Sequence, residues 1–393
     1  MPSAPNSQSP AISSTFVNAH KRLRYPARFG AFIGGTLFLL GCAPGIAATA
    51  ERDETNAETT NAFIASNDTQ KAYRAVLAHA RAFAKSLSDG QRNDLMQAYN
   101  YENAARWHTY PQWYLNRPWN VFDRPRIGLR LETLSDDQWQ ALNALLKAAT
   151  GTGRNEGFDE IQQHLNADDH LHDAGKGDAY GRGDFYIAFL GEPSETGLWQ
   201  LQFGGHHFAL SNTYHNGILT GATPSFRGIE PNRPFTYHNI ENAPQQQEMD
   251  AFKALLASLD GRQRKDARLN DHFGDVMLRY GKDWDFPKQA KGIPATTLDT
   301  RQRALLLAVI AGYVDDINDA NADLIMAHYE SQLDDTYVAY SGDISLSQTG
   351  DYVRIDGPSV WIELYMDSPF NFDIAHPHSV WRDKYRDYGG LHP

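Results

Sequence analysis

Residues 198–221 read LWQLQFGGHHFALSNTYHNGILTG, and this stretch decides the class of fold. Apolar and polar residues alternate along much of it, as expected of strands with one buried face. Asn216-Gly217 is a hairpin signal, because Asn-Gly supplies the positive φ values that a type I′ turn needs. We therefore expect residues 184–227 to form an antiparallel meander.

The remaining sequence supplies helices and a second group of strands. DTYVAYSG, DYVRIDG and PSVWIELYM in the C-terminal third are strand-like, with a turn at Asp356-Gly357 or Gly357-Pro358. Runs of helix followed by runs of strand, without βα alternation, predict an α+β fold: a mainly antiparallel sheet with helices packed around it in a single large domain. The predicted helical stretches are 69–99, 135–149, 156–166, 244–281, 299–313 and 319–332.

Four helix starts share one pattern. In each, a Ser or Asp stands where an N-cap is needed, and acidic residues occupy the cap or the first turn. An old duplication would explain the likeness, but we favour a repeated solution to the same capping problem. The four segments are SLSDGQRNDL from Ser86, TLSDDQWQALNALL from Thr133, SLDGRQRKDA from Ser258 and TLDTRQRALLLAVI from Thr297.

Composition narrows the classes of function. The chain has 393 residues, 41% of them hydrophobic, which is typical of a globular protein. A formal net charge of −12 without a basic stripe argues against nucleic acid as a partner. The HExxH, P-loop, GxGxxG and GxSxG motifs are absent from the sequence. We expect a small-molecule substrate or ligand.

The N-terminal segment resembles an export signal. Basic residues precede an apolar run from Phe29 to Leu40 that is too short to span a bilayer. Leu39-Leu40-Gly41-Cys42 resembles a lipobox, with Cys42 as the acylated residue. We therefore expect a periplasmic or outer-membrane-anchored lipoprotein that contacts the membrane only through this anchor. Plain secretion with cleavage after Ala50 is the alternative.

The expected organisation is a signal and lipobox segment at 1–42, a polar tether at 43–67 and the α+β domain at 68–393. Cys42 is the only cysteine, so no disulfide can form within the chain. The core alone must therefore hold the domain together, and a body of this size is large enough to do so.

Two histidine pairs are the strongest candidates for a functional site. If 199–213 is one strand, His206 and His207 point to opposite faces unless Gly204-Gly205 forms a bulge. We then favour His206, which lies on the more polar face. His376 and His378 flank Pro377 and share a face of an extended segment, so both can bind one ion.

Two further residues extend this hypothesis. Glu363 lies on a strand expected to run antiparallel to the His376 segment, where it is a candidate metal ligand, hydrogen-bond acceptor for the N–H of a ligating imidazole, or catalytic base. Arg382, close to His378, is a candidate for polarising a substrate oxygen, although local pairing between Arg and Asp also explains it.

Imidazole ligands without thiolates favour a divalent ion, with copper or zinc as the expected metal outside the cytoplasm. We expect a metal-dependent oxidoreductase or hydrolase. The alternatives are a non-enzymatic lipoprotein that binds metal or a small ligand, and a protein whose histidines only satisfy hydrogen bonds in the core.

The combination of WQLQFGGHHFALS, TPSFRGIEP, YVRIDGPSVWIEL and HPHSVWRDKYRDYGG resembles the proteins grouped as domain of unknown function 3500 (DUF3500). The resemblance covers the chain from about residue 70 to the end. It implies an exported bacterial protein and supports grouping His206 and His207 with His376 and His378, but it implies no particular reaction.

Overall fold

A computed structural model describes residues 66–111, 125–178 and 180–393. The predicted signal segment, Cys42 and the tether up to residue 65 lie outside these ranges. Within the described ranges, no helix is both long and apolar enough to cross a membrane.

The helices of the described residues are α1 (Asn67–Ser86), α2 (Asp89–Leu95), α3 (Tyr101–Ala104), α4 (Asp136–Ala149), α5 (Gly157–Asp173), α6 (Gln246–Ser258), α7 (Gly261–Ala267), α8 (Thr300–Val314) and α9 (Asp319–Ser331).

Most strands of the described residues belong to one large sheet of 12 strands, while β8 and β9 form a separate ribbon. The strands are β1 (Met96–Gln97), β2 (Leu129–Arg130), β3 (Tyr186–Leu190), β4 (Trp199–Gly205), β5 (Phe208–His215), β6 (Ile218–Gly221), β7 (Ser225–Gly228), β8 (Phe235–Tyr237), β9 (Ile240–Asn242), β10 (Ile293–Pro294), β11 (Tyr337–Ser341), β12 (Tyr352–Asp356), β13 (Val360–Asp367) and β14 (His376–Asp383).

The large sheet has the order β1-β3-β4-β5-β7-β14-β13-β12-β11-β10, with β2 paired to β3 and β6 paired to β5. Its named strands pair antiparallel, except that β1 and β3 are parallel. The predicted α+β fold with a mainly antiparallel sheet is confirmed. β7 and β14 meet at the middle of the sheet, so strands from distant parts of the sequence are neighbours there.

The two faces of the sheet are covered differently. Helices cover one face, where Val76 of α1 and Leu306 of α8 belong to the same apolar cluster as Leu201 of β4. Irregular segments cover the other face, where Trp107 and Val276 join Phe226, Ala209 and Val380. The predicted helical stretch 244–281 is wrong beyond α7: residues 268–281 lie in this irregular layer, and two of their backbone amides donate to the sheet residue Glu363.

The predicted turns are confirmed in two places, but the single strand over 199–213 is wrong. Asn216 (φ 51°) and Gly217 (φ 77°) join β5 to β6, and residues 357–359 join β12 to β13. The chain also reverses at His206-His207, where Gly205 pairs with Phe208 across the turn. His207 takes a φ of 59°, and the two histidines form a two-residue hairpin loop.

The domain contains two similar halves. α1, α2, α4, α5 and β3–β5 recur in the same order as α6, α7, α8, α9 and β11–β13. β2 pairs with β3 as β10 pairs with β11. The β7–β14 pairing joins the halves, so the sheet is continuous through both of them.

Long-range hydrogen bonds between the helix starts also recur. Gln91 and Gln138 each lie three residues after an N-cap, and their side-chain amides donate to each other. Gln91 also donates to the Thr133 carbonyl, and Gln138 to the Ser86 carbonyl. In the second half Gln263 and Gln302 repeat these bonds with Thr297 and Ser258. Capping requires only local contacts. All four starts carry the capping boxes that the favoured interpretation predicts, and the additional bonds between them agree with an internal duplication as well.

Candidate functional site

The histidines meet where the two halves join. β7 lies between β5 and β14, and Gly228 of β7 pairs directly with His378 of β14. The Gly228 amide donates to the His207 carbonyl at 2.7 Å, and the His207 amide donates to the Thr109 carbonyl at 2.8 Å. These bonds fix the β4–β5 turn beside β14. A glycine is needed at position 228, because a Cβ there would lie 2.9 Å from Cδ2 of His207.

Four imidazole rings pack into one buried cluster. The rings of His206 and His207 stack with centroids 3.9 Å apart, and His207 lies 5.2 Å from His376 and 5.1 Å from His378. The Nε2 atoms of His207 and His378 are 3.3 Å apart. His378 is partly exposed, with 12% of its side chain accessible. The structure thus brings together the two pairs that lie about 170 residues apart in sequence.

Four carboxylates that the sequence analysis missed lie beside this cluster: those of Asp168, Asp275 and Glu230, and that of Asp367, whose Oδ2 is 3.9 Å from Nε2 of His378. Asp168 of α5 places Oδ1 2.7 Å from Nδ1 of His206. Asp275, in the irregular layer, places Oδ1 3.0 Å from Nδ1 of His378. Glu230 lies two residues beyond β7, with Oε1 3.8 Å from Nδ1 of His376, and its carboxylate accepts two hydrogen bonds from Asn371.

These contacts determine which imidazole nitrogens remain available. Because a carboxylate accepts a hydrogen bond, Nδ1 of His206 and Nδ1 of His378 carry protons, and in the neutral rings each Nε2 keeps a lone pair. Nδ1 of His376 is buried and has no hydrogen-bond partner among the described residues. A buried nitrogen left without a partner is costly, and a bound cation would remove that cost.

Burial keeps His207 and His376 neutral. Desolvation, followed by the neighbouring imidazoles, holds the pKa of His207 well below its usual value. The same effects lower the pKa of His376 to about 3. Burial also acts against charge on His378, but Asp275 and further acidic neighbours outweigh it and raise that pKa. Neutral imidazole is the form that binds metal ions.

The geometry permits two overlapping sets of metal ligands. Each of His207, His376 and His378 offers a nitrogen, and these atoms lie within 4.8 Å of one another. His206, His207 and Glu230 meet the same distance limit. In a tetrahedral zinc site with Zn–N bonds of about 2.0–2.1 Å, two nitrogen ligands are about 3.3 Å apart. The 3.3 Å between Nε2 of His207 and Nε2 of His378 matches that spacing.

A small cavity of about 40 Å³ reaches this cluster from the irregular layer. His207 and His378 lie on its wall, whereas His206 and His376 lie outside its lining. Its other lining residues include Thr109, Tyr110, Phe226, Arg279 and Tyr280. An ion held by His207 and His378 would therefore have one side facing this cavity.

Glu363 lies apart from the histidine cluster in the described structure. Its buried carboxylate accepts hydrogen bonds from the amides of Met277 and Leu278, the Tyr352 hydroxyl and the Trp361 indole. Burial raises its pKa, although these donors favour the charged form. The strand pairing expected between the Glu363 and His376 segments is confirmed, since β13 and β14 are antiparallel. However, Glu363 belongs to neither set of possible ligands around the histidines.

Arg382 is engaged in fixed ion pairs. Its Nε donates to Asp387 at 2.7 Å and its Nη2 to Asp283 at 2.8 Å, and the side chain is fully buried. It also donates to the Leu278 carbonyl. Arg382 therefore forms ion pairs with aspartates, which the sequence analysis gave as the alternative to polarising a substrate oxygen.

A third set of possible metal ligands, made only of carboxylates, lies on the helix-covered side of the sheet. Glu160, Glu248 and Asp316 are buried close together, and the Arg227 guanidinium pairs with Glu160 and Asp316. The cation that balances this group is therefore an arginine of the chain itself, and we assign it a structural role.

The fold and the site together define an α+β protein with a buried histidine and carboxylate cluster at the junction of two similar halves. The chain matches the family model described as "Protein of unknown function (DUF3500)" over residues 69–390. It belongs to that family, as the sequence resemblance implied. No curated protein and no solved structure matches the chain.

Proposed function

We propose that this protein is an exported, lipid-anchored, metal-dependent enzyme whose ion is bound by His207, His376 and His378. The observation that carries the proposal is that three imidazoles, two of them held neutral by burial, each place a ring nitrogen within 4.8 Å of the other two. In addition, the buried Nδ1 of His376 has no hydrogen-bond partner among the described residues. Copper has the highest affinity for such ligands among the first-row divalent ions, and imidazole ligands also suit zinc. Glu230, whose Oε1 is 3.8 Å from Nδ1 of His376, is a carboxylate that could complete the site.

The cavity favours catalysis over metal storage. Storage and structural sites fill every coordination position with protein ligands, whereas catalytic sites keep one open. His207 and His378 face the cavity, so a small molecule entering it would reach the ion. The ion would act there as a Lewis acid or redox centre for a small-molecule substrate, which covers both the hydrolase and the oxidoreductase hypotheses.

Elemental analysis of the full chain, purified without chelators, tests the ion site. We expect about one equivalent of copper or zinc per chain, and loss of that metal when His376 and His378 are both replaced by Ala. His172→Ala is the matched control, because His172 is exposed at the end of α5 and should not change metal content. A wild-type chain that stays metal-free after supplementation, or a double variant that keeps its metal, would refute the proposal.

A second measurement separates an enzyme from a storage protein. The Co²⁺-loaded chain is titrated with azide, a small anion that enters open coordination positions. We expect the visible absorption bands of Co²⁺ to shift. Unchanged bands at saturating azide would mean a filled coordination sphere and would favour the non-enzymatic metal-binding alternative.

A further inference from the structure

We propose that Asp275 is a positioning residue for the metal ligand His378, and that Glu363 and Arg382 hold the segment that carries Asp275. This inference depends on the proposed metal site and extends it to the residues that fix its geometry. It also gives the two residues that the sequence analysis singled out as catalytic a different role.

The contact between Asp275 and His378 determines how the imidazole is presented. Oδ1 of Asp275 lies 3.0 Å from Nδ1 of His378, and it also accepts the Val276 amide at 2.8 Å. With Nδ1 donating to the carboxylate, the lone pair of the neutral ring is on Nε2, the atom that faces Nε2 of His207. A ligating histidine whose other nitrogen donates to a carboxylate is fixed in tautomer and orientation and is a better ligand.

The sheet holds Asp275 in place through the two residues that follow Val276. Glu363 of β13 accepts the Met277 amide at 2.6 Å and the Leu278 amide at 2.9 Å. Arg382 of β14 donates to the Leu278 carbonyl at 2.8 Å. Since β14 also carries His378, the same pair of strands fixes both the imidazole and the segment that orients it.

The other end of the cluster has an equivalent arrangement. Asp168 places Oδ1 2.7 Å from Nδ1 of His206, and its Oδ2 accepts the Gly181 amide at 2.8 Å. In both pairs one carboxylate oxygen faces Nδ1, and the carboxylate is itself held by a backbone amide. His206 belongs to the second set of possible ligands, so the same carboxylate–imidazole arrangement occurs in both sets and supports a role in orienting the imidazoles.

The test is titration of the full-length chain with Co²⁺, followed by its visible absorption, for the wild type and four variants. We expect Asp275→Ala to weaken Co²⁺ affinity about 10–100-fold. Asp275→Asn keeps an acceptor oxygen and should bind more tightly than Asp275→Ala. Asp271→Ala is the matched control: Asp271 lies in the same segment, pairs with Lys291 and is half-exposed, so affinity should not change.

The fourth variant, Glu363→Gln, tests the hold on the segment. The amide nitrogen of the glutamine cannot accept a hydrogen bond as the carboxylate oxygen does, so we expect the variant to bind Co²⁺ more weakly. Circular dichroism is used to show that the variant is folded. The EPR spectrum of bound Cu²⁺ should change in Asp275→Ala and Glu363→Gln but not in Asp271→Ala. A purely structural role would lower stability and leave that spectrum unchanged.

The outcomes separate the two proposals. A wild-type chain that binds neither Co²⁺ nor Cu²⁺ overturns the metal site itself. If the wild type binds metal and both Asp275 variants match its affinity and its spectra, the positioning role alone is overturned. Altered Asp275 variants with an unchanged Glu363→Gln overturn only the part assigned to Glu363.

Discussion

A Cβ atom on Gly228 would lie 2.9 Å from Cδ2 of His207 and 3.1 Å from Cδ2 of His378. The absence of a side chain at this position of β7 is therefore what allows imidazoles from two distant segments to share one site. Such contacts are shorter than ordinary van der Waals separations, so at least one ring must move if a side chain is added.

Gly228→Ala is expected to impair metal binding more than folding. Overpacking a buried position costs about 1–3 kcal/mol of the free energy of unfolding, and displacement of the His207 or His378 ring should lower metal content below one equivalent. Thermal unfolding and elemental analysis measure the two effects. Gly261→Ala, where no atom lies within 4 Å, is the control and should keep its metal. Full metal content in Gly228→Ala would contradict the described ring positions.

Local patterns were sufficient to predict most of the elements. The N-caps at Ser88, Ser135, Asp260 and Asp299 all carry capping boxes, and the Asn216-Gly217 turn lies where the sequence places it. These signals act over a few residues, so they can be read without the tertiary structure. The pairing of the helix starts through glutamine amides acts between elements and could not be predicted in this way.

The turn at His206-His207 had a signal that the sequence analysis overlooked. Phe203 and Phe208 both face the helix-covered core, although an odd spacing would place them on opposite faces of one strand. The apolar pattern therefore changes phase between them, as it must when the chain reverses. Reading 199–213 as one strand separated His206 from His207, whereas the turn stacks their rings.

The acidic partners of the cluster could not be found from sequence. Asp168 lies 38 residues from His206 in the chain, and Asp275 lies 103 residues from His378. Neither aspartate occurs in a pattern that sets it apart from other acidic residues. Only the packing of α5 and of the irregular layer against the sheet brings them to the histidines.

Replacing Arg382 should destabilise the irregular layer. Arg382→Ala leaves the carboxylates of Asp283 and Asp387 without their buried counter-charge, which typically costs about 3–5 kcal/mol in the free energy of unfolding. Burial already raises the pKa of Asp387 to about 6 in the presence of Arg382. Loss of the arginine should raise that pKa further, so the destabilisation should be smaller at pH 5 than at pH 8.

Urea unfolding at both pH values measures this effect. Arg262→Ala removes an exposed arginine whose nearest acidic partner, Asp266, is 3.8 Å away, and its effect should stay within about 0.5 kcal/mol. An Arg382→Ala chain as stable as the wild type would show that its ion pairs contribute nothing net to folding.

Glu248 makes the stability of the domain depend on pH. Burial, then the neighbouring Glu160, raises its pKa well above the usual value. The folded state therefore keeps a proton that the unfolded state releases above about pH 4.5. Between that pH and the raised pKa, this group lowers the free energy of unfolding by about 1.4 kcal/mol per pH unit as pH rises.

Glu248→Gln should remove this contribution, because the amide does not titrate. We expect the free energy of unfolding to fall less steeply with pH in the variant than in the wild type, as measured by urea unfolding from pH 4.5 to 8. Glu241→Gln changes an exposed residue and should follow the wild-type curve. Parallel curves for wild type and Glu248→Gln would show that Glu248 is ionised in the folded protein.

Cys42→Ser should release the protein from the membrane if Cys42 carries the lipid. A lipidated chain begins at the modified Cys42, and acyl chains bind membranes in proportion to the apolar surface they bury. Fractionation of cells producing each chain should move the variant into the soluble fraction, and mass spectrometry of the wild-type N-terminal peptide should show acyl chains on Cys42. A mature chain that instead begins at Glu51 would mean cleavage after Ala50, and the protein would then be secreted without an anchor.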